Sequence, residues 1–380
     1  MKWVLTLTLL FFCNGICKAV DIIEYKDKAG QQRIVIRNQW LAAEFFPDAS
    51  ALFSGLQFLP EKRSLIDPVE TSASIDDLLP SILYTNSCGG RELLWGKKHF
   101  ANVFFPVAKQ EATPESGHIV FSNRYLLNEN LEATKKVILS TDSLSVRICF
   151  TLKNHEKQAK TLRFWANFIP QLSPDGHLDT VLLPARGGVR RVKERGVTFF
   201  ERDCIYEDRE FSNKEVFVAP ALPWIGRNSE KLPGVLVMRC DADALGDSGF
   251  LYSYKRGPHS PTHTMEIVFA PVEINSGDSA DFNVDYLFFP HLNNISGVCG
   301  DIGMEIRDQH LFLEAASPSK GGRLALEYRN AAAAVLGKVE LQISALPTGI
   351  LQQHLIRLPA ETSHVSGTFE DGRIFTLLLK

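Results

Sequence analysis

Hydrophobic and polar residues alternate with a period of two along most of the chain, which is typical of β-strands that bury one face. Segments 146–153 and 281–288 alternate most regularly, with an apolar residue at every even position. The same pattern predicts shorter strands over 33–37, 117–121, 235–239 and 265–269. Helical periodicity is confined to 76–83, where one or two helical turns are expected. The pattern therefore predicts an all-β protein.

Turn sequences separate these strands and indicate how they pair. Residues 140–143 divide the apolar segment 136–139 from the strand 146–153, which predicts a hairpin. Strands divided by turns in this way favour a sandwich or a barrel. Segment 164–169 is apolar at nearly every position, so we expect it in a central sheet that is covered on both faces.

The chain is too long for one average domain and contains one clear break. Residues 291–302 are polar and glycine-containing, and they follow a strong strand. Beyond them lie six short predicted strands, over 302–306, 310–315, 323–328, 338–343, 353–358 and 374–379. We therefore predict a large β domain over 20–292 and a small immunoglobulin-like β-sandwich over 300–380.

The N-terminus has the pattern of a secretory signal peptide. A positive start at Met1 and Lys2 precedes an apolar run over 4–12, and Ala19 is the expected last residue before cleavage. The run is too short to span a bilayer. We predict a signal peptide over 1–19 and a secreted or periplasmic protein without stable membrane insertion. Lipidation at Cys13 or Cys17 and an uncleaved anchor remain alternatives.

The charge of the chain argues against a nucleic-acid partner, and its cysteine content argues against a fold stabilised mainly by disulfides. The formal net charge is −3, and no run of Lys and Arg is present, so nucleic acid is not an expected partner. Five cysteines lie outside the signal segment, widely spaced and without a CxxC pair, at positions 88, 149, 204, 240 and 299. We expect buried thiols with at most one or two disulfides, so the hydrophobic core must stabilise the fold.

Five segments together resemble the galactose-mutarotase-like superfamily. Residues 34–38 and 40–47 resemble its opening strands, which end in a proline, and 137–154 resembles a mid-domain hairpin that closes on an Asn. Residues 163–188 resemble its central strand and following loop, and 265–288 its closing strands. The likeness covers about residues 22–290 and resembles an uncharacterised bacterial branch. It implies a large antiparallel super-sandwich with a sugar cleft, and therefore a mono- or oligosaccharide partner.

Two departures from that family pattern concern activity. The turn Asp48–Ala51 replaces a Gly-Gly pair that the family often carries. Aldose epimerases carry Asn-His before the aromatic run of the central strand, whereas here Asn167 has no adjacent His. The acid of the epimerases is therefore not visible at its usual place.

Aromatic and polar residues near the predicted cleft are candidates for sugar binding. A sugar ring stacks on an aromatic face, and its hydroxyls bond to charged or amide groups. Trp95 with Arg91, Trp165 with Asn167, and Trp224 offer this combination. Core packing is the alternative for each Trp, and a tight turn after the glycine pair 89–90 is the alternative for the segment holding Arg91.

Epimerisation needs a base and an acid on the sugar, roles that His and carboxylate side chains can fill. His177 and Asp179 are two residues apart after the aromatic strand and share a face if the segment is extended. Glu266 leads into a late strand, with His263 beside it as a sugar-binding candidate. Solvated loops are the alternative for both segments.

No cofactor motif is evident in the sequence. His259 and His263 are four apart, but no helix or third ligand is predicted there, so zinc is not expected. Asp241 and Asp243 are the one close carboxylate pair that calcium could use. A second arginine cluster, over 186–191, would favour an acidic sugar if it faced the same cleft as Arg91.

These observations predict an exported carbohydrate-binding protein with a mutarotase-like cleft. The alternative is a carbohydrate-active enzyme, either an aldose 1-epimerase-like isomerase or a lyase or hydrolase on the same fold, with a His and carboxylate pair. A structural exported β protein is a third possibility. Fold alone does not decide among them.

Overall fold

Nearly all regular structure in the described residues is β-sheet, as predicted. The computed structural model describes residues 19–28, 30–49, 51–66, 89–94, 106–124, 130–170, 172, 179–185, 188–193, 215–254 and 264–379, and for 89–94, 192–193, 215–217 and 254 only the backbone. Within these ranges, helix is limited to a 3-10 turn, Pro47–Ala49, and a four-residue helix α1, Ala242–Leu245. The predicted helix over 76–83 and residues 1–18 of the predicted signal peptide lie outside the described residues.

The first sheet has ten antiparallel strands. In chain order they are β1 (Asp21–Lys26), β2 (Gln32–Arg37), β3 (Leu41–Phe46), β4 (Leu52–Phe58), β5 (Arg63–Ile66), β6 (Gly89–Leu94), β12 (Phe164–Ile169), β15 (Glu215–Val218), β18 (Phe250–Tyr254) and β19 (Met265–Val268). Their spatial order is β1-β2-β3-β4-β6-β12-β19-β18-β15, with β5 paired to β4. The apolar strand β12 is therefore central, as its sequence predicts.

The second sheet has nine antiparallel strands. They are β7 (Val107–Ala112), β8 (Ser116–Asn123), β9 (Leu131–Ser140), β10 (Ser145–Asn154), β13 (Asp179–Ala185), β14 (Gly188–Lys193), β16 (Trp224–Ser229), β17 (Val235–Arg239) and β21 (Ser279–Phe289). Their spatial order is β14-β13-β16-β17-β21-β10-β9-β8-β7. The predicted hairpin is β9–β10, and the regular strand β21 lies between β10 and β17.

Aromatic side chains join the two sheets into a sandwich. Phe53 and Phe168 of the first sheet contact Tyr286 of the second, with ring centroids 5.3 and 4.7 Å apart. Phe164 stacks on Phe282 at 4.5 Å. Edge-to-face and offset aromatic pairs of this kind add to the energy of area burial. These residues belong to one continuous core, so the inner face of each sheet is identified by its contacts.

The turn at 275–278 shows why the strands on either side of it meet where they do. Strands β11 (Lys160–Leu162) and β20 (Val272–Ile274) form a small two-stranded sheet before the predicted turn at 275–278. In that turn Gly277 has φ +83°, a conformation that side-chain-bearing residues rarely adopt. Asn154 is fully buried at the end of β10, and its amide donates to the carbonyls of Gln158 and Ile274. The Asn that the family pattern places there thus fixes the turn.

The remaining strands form two four-stranded antiparallel sheets with a core of their own. One sheet is β22 (Gly297–Cys299), β23 (Ile302–Arg307), β24 (His310–Ala315) and β27 (Leu351–Leu355). The other is β26 (Val335–Ile343), β25 (Gly322–Arg329), β28 (His364–Phe369) and β29 (Ile374–Leu378). Residues of both sheets share the second core. We call this part the small sandwich; its exact limits as a domain stay a prediction.

Buried carboxylates fasten the small sandwich to the segment that precedes it. Glu314 is fully buried and accepts hydrogen bonds from the backbone N–H groups of His291 and Leu292, at 3.0 and 3.1 Å. Glu305 accepts from the N–H groups of Asn293 and Asn294. Apolar residues of the same region, Ile295, Phe312 and Ala316, belong to the main core. The junction is therefore packed and hydrogen-bonded.

Three cysteines that the structure describes, Cys149, Cys240 and Cys299, are free thiols. Burial raises the pKa of each, that of Cys240 to about 12. A protonated, enclosed thiol is a poor nucleophile. The described part of the chain also contains no helix with the length and hydrophobicity needed to cross a membrane.

Candidate functional site

The outer face of the first sheet, meaning the face turned away from the second sheet, brings several predicted site residues together. Phe164, Ala166 and Phe168 of β12 belong to the main core. Because side chains alternate along a strand, Trp165 and Asn167 lie on the opposite, outer face. On β19, Met265 and Ile267 belong to the main core, so Glu266 between them also lies on the outer face.

Strand register places the polar candidates in one row across the sheet. Asn167 is paired with Arg91 of β6 on one side and with Glu266 of β19 on the other. Glu266 is paired in turn with Tyr252 of β18. Residues that are directly opposite in antiparallel strands share a face. The row therefore unites residues that are separated by up to 175 positions in the chain.

The carboxylate of Glu266 is the most constrained group of the row. The residue is 1% exposed. Its Oε2 accepts a hydrogen bond from the indole N–H of Trp165, and its Oε1 accepts one from the hydroxyl of Thr264. A buried carboxylate needs such donors because it has left the water that otherwise solvates it. The two bonds hold the carboxylate and the indole in a fixed relative orientation.

Aromatic side chains surround this carboxylate and form a cluster separate from the main core. Tyr252 and Val268 are buried in it, and Trp165 and Phe250 are partly buried against them. The guanidinium of Arg163 lies over the Phe250 ring, 5.6 Å from its centroid. An aromatic surface with a fixed carboxylate and an amide beside it is the combination that binds a sugar ring.

A second polar cluster lies on the same outer face and was not predicted from the sequence. Glu44 of β3 accepts hydrogen bonds from the phenol of Tyr25 and, at 2.9 Å, from the hydroxyl of Ser54. Arg33 is 3.8 Å from Glu44 and donates to Asp27 at 3.0 and 3.1 Å. Burial and the bond to Glu44 raise the pKa of Tyr25, which keeps its phenol a donor. We call these five residues the β1–β4 cluster.

The signal for this cluster is present in the sequence as polar residues that alternate with core residues. Ile34 and Ile36 point into the main core, so Arg33 lies on the outer face of β2. Ala43 and Phe45 likewise point into the main core, so Glu44 lies on the outer face of β3. Such polar positions resemble an ordinary solvated strand face until the pairing of the strands is known.

Two predicted residues lie in the second sheet, away from this row. Asp179 of β13 forms an ion pair with Arg227 of β16 at 3.0 Å, and both side chains are 0% exposed. Asp179 also accepts a hydrogen bond from the backbone N–H of Leu172. Trp224 of β16 is 1% exposed, and among the described groups its indole nitrogen finds no hydrogen-bond partner. These contacts are those of packing and structural pairing.

Three other predicted residues, His177, Trp95 and His263, lie outside the described residues. Arg91 is described only by its backbone position opposite Asn167. The second arginine cluster, over 186–191, includes residues of β14, which is an edge strand of the second sheet rather than a neighbour of β6. The two arginine segments thus belong to different sheets.

The described residues contain no group of three or more His, Cys, Asp and Glu side chains that could hold a metal ion. Asp241 precedes α1 and Asp243 lies in its first turn. Asp241 is the acceptor of a long hydrogen bond from Asn283, 3.5 Å away. In the described part of the chain, no third His, Cys, Asp or Glu side chain joins this pair to form a metal site.

Solved structures provide the comparison with known proteins. A galactose mutarotase-like protein from Clostridium acetobutylicum superposes with a TM-score of 0.52 and 10% identity, over 71% of this chain and 99% of that one. A TPR-domain containing protein from Parabacteroides distasonis superposes with a TM-score of 0.51 and 12% identity, over 70% of this chain. The match spans 48% of the Parabacteroides protein.

Comparison of sequences identifies no relative, whereas comparison of structures does. No protein-family model matches the chain, and no curated protein matches its sequence. At identities of 10 and 12%, the structural likeness establishes the fold alone. About 70% of the chain has the fold of the galactose-mutarotase-like proteins, as the sequence resemblance implied.

Proposed function

We propose that this is an exported carbohydrate-binding protein whose sugar site is the outer face of the first sheet. The observation that carries the proposal is the Trp165–Glu266 pair beside Asn167, on a face that is not used for the main core. Trp165 offers an aromatic surface, Glu266 a hydrogen-bond acceptor and Asn167 both a donor and an acceptor. Sugars present the matching groups, an apolar ring face rimmed by hydroxyls.

Preorganisation supports this use of the face. The carboxylate of Glu266 is oriented before any ligand arrives, because Trp165 and Thr264 bond to its two oxygens. A site whose groups are already fixed loses less conformational entropy when it binds a ligand. The same bonds aim the indole ring, so one interaction orients both the polar and the aromatic part of the site.

The proposal is tested by titrating the purified protein with neutral and acidic mono- and oligosaccharides while intrinsic Trp fluorescence is recorded. Glu266→Gln should weaken binding by about tenfold or more, because a hydrogen bond to a charged group contributes about 1.5–3 kcal/mol. Trp224→Phe is the matched control, since Trp224 is buried in the second sheet. The absence of binding across the panel would refute the proposal.

A second candidate function is catalysis of anomeric interconversion at the same place. It is favoured by the pairing of Tyr252 with Glu266 in neighbouring strands, which supplies a phenol and a carboxylate on one face. Such a pair offers an acid and a base to one sugar ring. Polarimetry on the titrated samples distinguishes the functions. Catalysed interconversion that Glu266→Gln abolishes would establish the enzyme, whereas binding with unchanged rotation would establish a binding protein.

A further inference from the structure

We propose that the β1–β4 cluster is a second sugar subsite and that the ligand is a neutral oligosaccharide long enough to reach both clusters. The inference rests on the proposed function, because it takes the Glu266 row as the first subsite. It adds residues from four strands at the other end of the sheet, namely Tyr25, Asp27, Arg33, Glu44 and Ser54.

Both clusters lie on the outer face of the first sheet. The strand order β1-β2-β3-β4-β6-β12-β19 is unbroken between them. Glu44 lies on β3 and Glu266 on β19, which are four strand steps apart. At about 4.8 Å for each step, the strands that carry them are about 19 Å apart. A single sugar ring cannot span that distance, whereas a short chain of sugars can.

The chemistry of the β1–β4 cluster repeats that of the Glu266 row. In both, a carboxylate accepts hydrogen bonds from an aromatic residue and from a hydroxyl: Tyr25 and Ser54 for Glu44, and Trp165 and Thr264 for Glu266. The aromatic residue of the new cluster is accessible, since Tyr25 is 38% exposed. The cluster thus presents an aromatic ring beside an oriented carboxylate.

Space for the Glu44 side chain is built into the neighbouring strand. Gly55 of β4 is paired with Glu44, and a Cβ at that position would lie 3.3 Å from the Cβ of Glu44. A β-bulge at Glu44 and Phe45 brings the hydroxyl of Ser54 onto the same carboxylate. Bulges commonly redirect a side chain next to a functional site. The arrangement fixes where the carboxylate points.

Arg33 adds a cationic hydrogen-bond donor to the hydroxyl donors of the cluster. Its side chain is 2% exposed, lies over the Phe46 ring at 3.9 Å and is bonded to Asp27. A guanidinium held in this way keeps its orientation beside Glu44. Hydroxyl, carboxylate and guanidinium groups together can bond to both the donors and the acceptors of sugar hydroxyls.

Charge favours a neutral ligand over a uronate. Among the described side chains, the two clusters contain three carboxylates, those of Asp27, Glu44 and Glu266, and two guanidiniums, that of Arg33 and that of Arg163, which lies over Phe250 beside the Glu266 row. The described side chains therefore leave an excess of negative charge on this face. A polyanionic sugar chain would be repelled by such a face. The acidic-sugar alternative also loses support because the two arginine segments belong to different sheets.

The test measures affinity against chain length. The full-length protein and its variants are titrated calorimetrically with cello-, malto- and galacto-oligosaccharides of one to six units. We expect affinity for one of these series to rise with length and then level off. Glu44→Gln and Tyr25→Phe should each weaken binding of the hexasaccharide by about tenfold and leave that of the monosaccharide unchanged. Glu266→Gln should weaken binding at every length.

Glu24→Gln is the matched control, because Glu24 precedes Tyr25 in β1 and its side chain bonds to Gln32 and Gln110 instead. Melting temperatures establish that each variant is folded, and Tyr25→Phe removes only one partly exposed hydroxyl. Equal affinity for one and six units, or a Glu44→Gln variant that behaves like Glu24→Gln, would overturn the second subsite and leave the proposed function standing. No binding in all three series would overturn both.

Discussion

Trp165 and Glu266 are diagonal neighbours on strands β12 and β19, and the indole N–H of the first donates a hydrogen bond to the carboxylate of the second. Glu266 is only 1% exposed, so bulk water replaces this donor poorly when it is lost. The pair therefore links the stability of the sheet to the geometry of the proposed sugar site.

Trp165→Phe should lower the free energy of unfolding by about 1–3 kcal/mol, because a buried carboxylate loses one donor. Urea denaturation measures this change. Trp40→Phe is the matched control, since Trp40 donates to the exposed carboxylate of Asp142. In the Trp40→Phe variant, water can donate to Asp142 in place of the indole, so the loss of free energy of unfolding should be smaller. Equal losses at both positions would contradict the importance of burial.

Asp179→Ala should destabilise the protein by about 3–5 kcal/mol, because it removes the carboxylate that forms a buried ion pair with Arg227. The double variant Asp179→Leu with Arg227→Met should cost less, since it removes both charges. Glu340→Gln, which loses an exposed pair with Arg323, should change stability by about 0.5 kcal/mol or less. Saccharide affinity of folded Asp179 variants should be unchanged. A folded variant that loses sugar binding would instead place Asp179 in the site.

His291 should make the junction more stable at low pH than at high pH. Its hydrogen bond to the Glu314 carboxylate raises its pKa above the usual 6.5, although partial burial opposes the shift. The folded state therefore holds the proton more tightly than the unfolded state. This contribution is complete below pH 6.5 and is lost as pH rises through the folded-state pKa. His291→Gln should remove that loss in unfolding curves recorded from pH 5 to 9, whereas the control His310→Gln should retain it.

His354 should make the protein less stable at low pH than at high pH, which is the opposite of the effect of His291. Burial lowers its pKa below 6.5, and its Nε2 is buried without a hydrogen-bond partner in the described structure. The unfolded state therefore binds the proton more readily, so stability falls as pH decreases from 6.5 through the folded-state pKa. His354→Leu should flatten this acid limb of the stability curve. An unchanged limb would show that another group dominates it.

Periodicity predicted the strands whose inner positions are filled by their own side chains. Segment 281–288 became β21, Ser279–Phe289, because each of its inner positions carries an apolar residue. Strand β28, His364–Phe369, was missed for a physical reason. Its middle inner position is Gly367, and the ring of Phe375 from the neighbouring strand fills that space. A core position that is filled from another strand leaves no alternation to detect.

The candidate site could be predicted in part, because residue type is visible in a sequence and strand register is not. Asn167 and Glu266 were chosen for their chemistry, and only the pairing of β12 with β19 shows that they are opposite each other. Trp224 and Asp179 have the same chemistry but lie in the second sheet. Glu44 was missed because a lone carboxylate on a strand looks like a solvated position until Tyr25 and Ser54 are seen to bond to it.

The packed junction would fix the orientation of the proposed sugar site relative to any partner that binds the small sandwich. Phe312 and Ala316 of the small sandwich contribute to the main core, and Glu314 bonds to the backbone just before it. The small sandwich is therefore packed rigidly against the main core and is not joined to it by a flexible linker. A partner bound to the small sandwich would therefore meet the proposed sugar-binding face at one constant angle, and removal of the small sandwich would expose the part of the main core to which Phe312 and Ala316 belong.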